Sequence, residues 1–472
     1  MLLSELSPGG ADLEIAALAY DSRAVVPGSL FFCVPGLRVD GHDLAPEAIA
    51  AGAGALVVER PLGLGVPELL VESTREAMAP LAVRFNGDPS ATLRVVGVTG
   101  TNGKTTSAFL VAALLEAAGE SCGLLGTVKS VIGGREQPVI HTTPEAIDLQ
   151  ASFRAMLDGG DRACAMEVSS HALALHRVDG TRFAAALFTN LTQDHLDFHH
   201  TMEDYFEAKR RLFAPPPPVS VVNVDDPYGR RLAAEIADAI TFGLQPGADY
   251  GASALSFGVA GASFVASTPE GELELRTLLP GSFNVLNVLG ALATAHALGV
   301  PLELIASALP AITPAPGRFQ ALDEGQPFTV LVDYAHTPDS LENVLRAARS
   351  LGEGRLVSVF GCGGDRDRGK RPQMGAISTE LADLTIVTSD NPRSEEPEMI
   401  VGDILTGTSG SSAVEAIVER ADAIERAIAL AADGDVVVIA GKGHEQGQEF
   451  ADGRKIPFDD AQVARAALRA RR

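Results

Sequence analysis

The residues that most directly imply chemistry are Thr99-Gly100-Thr101-Asn102-Gly103-Lys104-Thr105-Thr106. Glycines at this spacing let backbone N–H groups close around an anion, and Lys104 adds a point charge for outer phosphates. Thr105 offers a hydroxyl to Mg2+. Val98 stands where the general phosphate-loop pattern has its first glycine, so the match is incomplete. The alternative is a glycine-rich turn that binds nothing. The flanks favour a phosphate: residues 93–97 read as a buried strand and residues 107–115 as a helix. A strand-to-helix turn aims backbone donors and the positive helix end at one spot. The segment implies a nucleoside triphosphate site.

In open α/β sheets, ligands lie beyond the carboxyl ends of the strands. Two more expected strands end in polar residues there: Glu167-Val168-Ser169-Ser170-His171 and Thr189-Asn190-Leu191-Thr192-Gln193-Asp194-His195-Leu196-Asp197. Glu167 and His195 could give a divalent metal a carboxylate oxygen and an imidazole nitrogen. Taken singly, each reads better as a hydrogen-bonded loop side chain. Their shared position at strand ends beside a phosphate loop turns both toward a metal.

Positioning these groups takes alternating strands and helices. Expected strands at 93–98, 163–168, 184–190 and 219–224, with helical patterns between most of them, imply a parallel sheet covered on both faces. The proline run 215–218 is a stiff connector. Residues 262–279 read as a hairpin around Thr268-Pro269-Glu270-Gly271, followed by a helix carrying Asn284 and Asn287. After Thr313-Pro314-Ala315-Pro316-Gly317 the alternation restarts, with strands at 328–333, 356–360, 384–388 and 436–440. At the other end, short strands at 29–36 and 55–59 precede the turn cluster Asn86-Gly87-Asp88-Pro89-Ser90. The expected fold is α/β in three domains. A small α/β domain covers 1–90, a central phosphate-loop domain with a parallel sheet covers 91–313, and a Rossmann-like doubly wound domain covers 314–472.

Length and composition agree with several domains, since 472 residues exceed what one core usually holds. A hydrophobic content of 46% with 21% charged residues is ordinary for a soluble enzyme. The net charge of -24 argues against nonspecific binding to nucleic acid or anionic membranes, while leaving room for a local basic pocket. Cys33, Cys122, Cys164 and Cys362 lack paired metal-ligand spacing and read as buried reduced thiols. The start of the chain lacks a signal-peptide pattern and no apolar run reaches the length of a membrane span. The expectation is a cytoplasmic protein.

Several strings stand together in one order: Gly100–Thr106, Glu167-Val168-Ser169-Ser170-His171, Thr189-Asn190-Leu191, Asp194-His195-Leu196-Asp197 and Tyr205-Phe206-Glu207-Ala208-Lys209. Asp333-Tyr334-Ala335-His336-Thr337-Pro338 and Gly441-Lys442-Gly443-His444-Glu445 follow. Over essentially the whole chain they resemble the Mur ligase family, ATP-dependent amide-forming ligases that build the peptide of bacterial peptidoglycan precursors. Asp21-Ser22-Arg23, Asp40-Gly41-His42 and Asp390-Asn391-Pro392-Arg393 are similar to the branch that adds a diamino acid to UDP-N-acetylmuramoyl-L-alanyl-D-glutamate. The string Asp390–Arg393 resembles the form using meso-2,6-diaminopimelate. Chemistry agrees: diaminopimelate differs from lysine by a distal carboxylate, which a guanidinium fork binds bidentately.

The resemblance implies an acyl-phosphate route. ATP would be held by Gly100, Thr101, Asn102, Gly103, Lys104, Thr105, Thr106 and Asn190, with Arg318 and Asp333 closing over it. It implies Mg2+ on Thr105, Glu167, His195 and Lys209, with Lys209 carbamylated into a carboxylate-like ligand. Lys104, Lys209, His195 and Glu167 form the implied catalytic set. Ser22, Leu37, Arg38 and Val39 are implied for the UDP group, and Thr142, Thr143, Ser169 and Arg177 for the muramoyl peptide. Arg366, Asp390, Asn391, Pro392, Arg393, Gly441 and Glu445 are implied for the diaminopimelate. The chain is expected to act as a monomer, without nucleic-acid or membrane partners. Leu175 departs from the pattern, standing where many relatives carry a glutamine.

Other readings differ by what they need. The same ligase with L-lysine as amine is disfavoured by Asp390–Arg393. Folylpolyglutamate synthetase shares the phosphate-loop logic but has no reason to carry the N-terminal UDP-type segment. A nucleotide-sensing switch needs no C-terminal diamino-acid cluster. A dinucleotide-binding oxidoreductase calls for a Gly-x-Gly-x-x-Gly turn that is absent after any expected strand.

Overall fold

The computed structural model describes residues 1–36, 39–409 and 412–471. The chain forms two compact units. The first holds residues 1–99, 119–186 and 211–218, and the second holds residues 100–118, 187–210 and 219–472.

The first unit opens with four strands in spatial order, β1 (Ala17–Ala19), β2 (Ser29–Phe32), β3 (Ala53–Val58) and β4 (Glu68–Leu70). All are parallel neighbours. The side chains of β2 alternate between two cores. Leu30 and Phe32 pack with Met78 and Leu81 of the Thr74–Phe85 helix, while Phe31 and Cys33 pack with Leu56 and Val58. The remaining strands are β5 (Arg94–Thr99), β6 (Cys122–Leu125), β7 (Ser130–Ile132), β8 (Arg135–Gln137), β9 (Ala163–Glu167) and β10 (Phe183–Phe188). Their order is β10-β5-β9-β6-β7-β8, with β5 and β6 parallel to β9 and an antiparallel edge at β7 and β8.

The last residues of β10 enter the second unit, where β11 (Val219–Asn223) and β12 (Ile240–Phe242) run parallel. The helix Lys104–Ala117 packs there against Ser282–Ala297. The expected hairpin is present as β14 (Gly261–Thr268) and β15 (Gly271–Thr277), antiparallel and joined by a third strand, β13 (Gly251–Gly258).

A six-stranded sheet follows: β16 (Gln320–Leu322), β17 (Thr329–Asp333), β18 (Leu356–Phe360), β19 (Leu384–Val387), β20 (Ala413–Ala416) and β21 (Val436–Ala440). Its spatial order is β16-β17-β21-β18-β19-β20, parallel except for edge strand β16. Val436, Val438 and Ala440 face one core and Val437 and Ile439 the other, as a strand covered on both faces requires. Register pairs Asp333 with Ala440, so the turns after β17 and β21 emerge side by side. A short ladder of β22 (Gly447–Glu449) and β23 (Lys455–Pro457) closes the pattern. Parallel sheets thus occupy three regions of the chain. Among the described residues, no helix is long and apolar enough to cross a membrane.

Candidate active site

The glycine-rich turn is built as an anion cradle in the second unit. Gly103 has φ +86° and a Cβ there would sit 2.3 Å from Asn287 Oδ1, so only glycine fits. The helix Lys104–Ala117 begins on the next residue. The turn is held by the segment after β10: Asn102 N–H donates to Asn190 Oδ1 (2.9 Å), and Thr189 Oγ1 donates to Asn102 O (2.7 Å). Thr101 N–H donates to Asn190 O, and Thr101 Oγ1 accepts from Thr192 N–H. Asn190, expected at the nucleotide, is therefore the brace of the loop itself.

Two lysines converge on one carbonyl. Lys104 Nζ donates to Gly100 O (3.0 Å) and Thr101 O (2.8 Å), and Lys209 Nζ donates to Gly100 O (2.7 Å). Lys209 is 1% exposed, on the helix Met202–Arg210, with its ammonium 4.6 Å from the Tyr205 ring centre. Burial drives its pKa well below the ordinary lysine value, and the Lys104 charge pushes the same way against Asp194. Asp194 sits under this site, 3.3 Å from His195 Nε2 and 3.8 Å from His336 Nε2. Burial raises the Asp194 carboxyl, but His195, Lys370 and His336 outweigh it and hold it well below the usual range.

Residues far along the chain reach the same loop. Arg318 Nη2 donates to Thr105 Oγ1 (3.0 Å) while its guanidinium lies over the Tyr334 ring. Asp333 ends β17 and accepts from Phe319 N–H at 2.6 Å, which fixes the turn carrying Arg318. Burial raises the Asp333 pKa against the Arg318 charge. Asn102 Nδ2 donates to Asp339 Oδ2 (2.7 Å) at the start of the helix Pro338–Arg349, a partner that sequence reasoning missed.

In the first unit, Glu167 ends β9 with 1% exposure, accepting from Thr127 N–H (2.7 Å) and Thr127 Oγ1 (3.1 Å). With that proton on Glu167, Thr127 Oγ1 accepts from Thr142 Oγ1 at 3.1 Å. Thr143 Oγ1 donates to Glu167 O (2.9 Å) and accepts from Ser169 N–H, while Ser169 Oγ caps the next short helix. Arg177 donates to Thr143 O and pairs with Glu145 at 2.8 Å. The four residues implied for the muramoyl peptide thus form one polar patch with Glu167. Ser22 is buried and donates to Glu47, and Val39 is 54% exposed. Leu37 and Arg38 lie outside the described residues.

The amino-acid cluster lies in the second unit, beyond β19 and β21. Asn391 Nδ2 donates to Glu445 Oε2 (2.9 Å), and Asn391 Oδ1 accepts from Lys442 Nζ (2.8 Å) and Glu449 N–H (2.9 Å). Arg393, at φ +50°, donates through Nη1 to Gly364 O (2.7 Å) and through Nε to Glu449 Oε2 (3.2 Å). Arg366 is exposed and donates to Asp365 O. The structure gathers Asp390, Asn391, Pro392, Arg393, Gly441 and Glu445, and adds Lys442 and Glu449. Glu449 gave no signal in the sequence, since its pairing with Arg393 spans 56 residues.

Among the described residues, no three His, Cys, Asp or Glu side chains are gathered to hold a metal. Beside the phosphate loop, the Thr105 hydroxyl and His195 imidazole are short of the hard oxygens Mg2+ prefers. Such sites are completed by substrate phosphates and one or two carboxylates, so the set fits nucleotide-bound Mg2+.

Three family descriptions match in series: "Mur ligase family, catalytic domain" over residues 14–86, "Mur ligase middle domain" over 98–295, and "Mur ligase, glutamate ligase domain" over 317–443. A relative from Geobacillus thermodenitrificans, named UDP-N-acetylmuramoyl-L-alanyl-D-glutamate–2,6-diaminopimelate ligase, is 48% identical over 488 residues. The match covers 100% of this chain and 99% of the relative. A solved structure of a ligase of that name is 35% identical, with TM-score 0.71 over 100% of this chain and 99% of the other. MurF ligase from Thermotoga maritima, solved in complex with ADP, shares the fold at 20% identity, with TM-score 0.70 over 97% and 98%. From the phosphate loop to the turn after β21, the chain belongs to the Mur ligase family.

Proposed function

We propose that this chain is an ATP-dependent ligase in peptidoglycan precursor synthesis. It joins meso-2,6-diaminopimelate to the D-glutamate γ-carboxylate of UDP-N-acetylmuramoyl-L-alanyl-D-glutamate. The strongest support is the end-to-end 48% identity with a relative named for that reaction.

A carboxylate does not acylate an amine at neutral pH without activation. The γ-carboxylate oxygen attacks the γ-phosphorus of ATP and ADP leaves. The amine then attacks the acyl phosphate carbonyl, and inorganic phosphate departs. Lys104 and the backbone donors of 100–106 hold and neutralise the phosphates, so catalysis is mainly positioning and charge compensation. Arg318, already on the Thr105 hydroxyl, turns to the nucleotide from a loop fixed by Asp333. Mg2+ supplies further charge neutralisation, and Thr105, Glu167, His195 and carbamylated Lys209 would hold it. Ser22, Leu37, Arg38 and Val39 take the UDP group, and Thr142, Thr143, Ser169 and Arg177 the muramoyl peptide. Arg366, Asp390–Arg393, Gly441 and Glu445 take the diaminopimelate. These roles divide among domains 1–90, 91–313 and 314–472 of a cytoplasmic monomer with no nucleic-acid or membrane partner.

The test is ADP release with the UDP-linked dipeptide and each candidate amine in turn. Release that requires both the dipeptide and diaminopimelate is expected. Equal release with L-lysine, or with no amine, overturns the assignment.

A further inference from the structure

Lys442 is fully buried, one residue past the positive-φ Gly441 that ends β21, and no step of the proposed reaction uses it. Its ammonium has three hydrogens and three acceptors around it: Asn391 Oδ1 at 2.8 Å, Glu445 Oε2 at 3.1 Å and Asp390 Oδ1 at 3.6 Å. We infer that Lys442 is a positioning residue that, with Asn391 as a brace, holds Glu445 and Asp390 as one acceptor array for an ammonium group of the amine substrate. The inference rests on the reading of Asp390–Arg393 and Glu445 as the diaminopimelate cluster.

Stability does not account for a lysine here. A buried ion pair roughly repays its own desolvation, and an apolar side chain of equal volume serves a core as well. What the ammonium does is set geometry and charge. Asn391 is oriented from both ends, its Oδ1 by Lys442 and Glu449 N–H and its Nδ2 by Glu445, so the amide cannot flip without losing three bonds. Two carboxylates around one ammonium leave one net negative charge. The nearby Arg420 does not cancel it, because its guanidinium is paired with the equally buried Asp460 at 2.7 Å. Tyr334 and His336 also face the cluster, Glu449 and its partner Arg393 border it at Asn391, and Glu445 keeps 30% of its side chain exposed. Burial pushes the Glu445 carboxyl up, but Lys442 and Asn391 outweigh it and hold Glu445 below the usual range. Without Lys442, Asp390 and Glu445 lose the ammonium that both of them meet. Glu445 then takes up a proton more readily and the site loses the charge that receives an ammonium.

The experiment is steady-state kinetics of Lys442→Met, which keeps the volume and removes the charge, with all three substrates from pH 6 to 9. The KM for diaminopimelate is expected to rise about 10-fold or more, while those for ATP and the UDP-linked dipeptide stay within about twofold. The kcat/KM for the amine is expected to climb with pH as Glu445 deprotonates, relative to the native enzyme. An equal loss for all three substrates, or a pH profile parallel to the native one, overturns the inference. Should Lys442→Met fail to fold, Lys442→Arg keeps the charge and is expected to retain amine use with a native-like pH profile. Loss of amine use in Lys442→Arg as deep as in Glu445→Gln overturns it equally. A native enzyme that does not turn over diaminopimelate at all refutes the underlying function instead, whatever Lys442 does.

Discussion

Arg393 shows how a residue read from a motif changes meaning once its neighbours are known. It meets an acceptor before any substrate arrives, with Glu449 on Nε and Gly364 O on Nη1. A distal carboxylate on the substrate must therefore compete with Glu449 for the fork. Arg393→Ala is still expected to lower kcat/KM for diaminopimelate by about 30-fold or more, because truncation leaves a substrate carboxylate unpaired in a closed site. L-lysine has no such group, and its kcat/KM should hold or rise slightly. The ratio of the two amines' kcat/KM, native against variant, is the measurement, and an unmoved ratio removes Arg393 from amine selection. Lys209 makes the second case at this scale. Lys209→Ala is expected to lose activity that short carboxylic acids partly restore, since they can place an oxygen anion where the proposed carbamate would stand. Activity assays with and without formate or acetate decide it.

At the scale of elements, the phosphate turn and an exposed helix position impose opposite demands on glycine. Gly103→Ala puts a methyl 2.3 Å from Asn287 Oδ1 at a positive φ, so it is expected to abolish ATP binding and lower Tm. Gly402 lies within the helix Pro397–Leu405, and a Cβ there meets nothing within 4 Å. Gly402→Ala should stabilise the chain by about 0.5–1 kcal/mol without touching activity, read by denaturant titration. The same contrast explains what the sequence makes legible. Strands β5, β9, β11, β17, β18, β19 and β21 fall within a residue or two of their expected places, because apolar runs bounded by polar turns report burial directly. The phosphate loop, the Asp390–Arg393 turn and the Gly441–Glu445 turn are short and self-contained, so their glycines and charges announce them. Asn102 with Asp339, Arg318 with Thr105 and Arg393 with Glu449 pair across 237, 213 and 56 residues. Spacing carries no trace of such pairs, and a lysine among small polar residues, like Lys442, reads as surface until the core closes over it.

For the molecule as a whole, acid is a condition that should loosen it at Glu395. This carboxylate is pulled from 4.5 to about 2 by its hydrogen bonds to buried Arg371, helped by Asp365 N–H and Arg368 against the cost of burial. A depressed carboxylate stabilises the fold fully above its unfolded value and stops doing so as pH falls toward its folded one. Stability should therefore drop between about pH 5 and 2, and Glu395→Gln should flatten that part of the curve, as pH-dependent denaturant melts will show. The two lysines on the Gly100 carbonyl have a different reach. An amine sealed at 1% exposure is closed to bicarbonate, an ion that would shed its water shell to enter, but open to dissolved carbon dioxide, which is small and uncharged. Under the proposed carbamylation of Lys209, the supply of a gas would set how much of the enzyme is competent. Protein kept in degassed buffer should then start slowly and recover as carbon dioxide is readmitted.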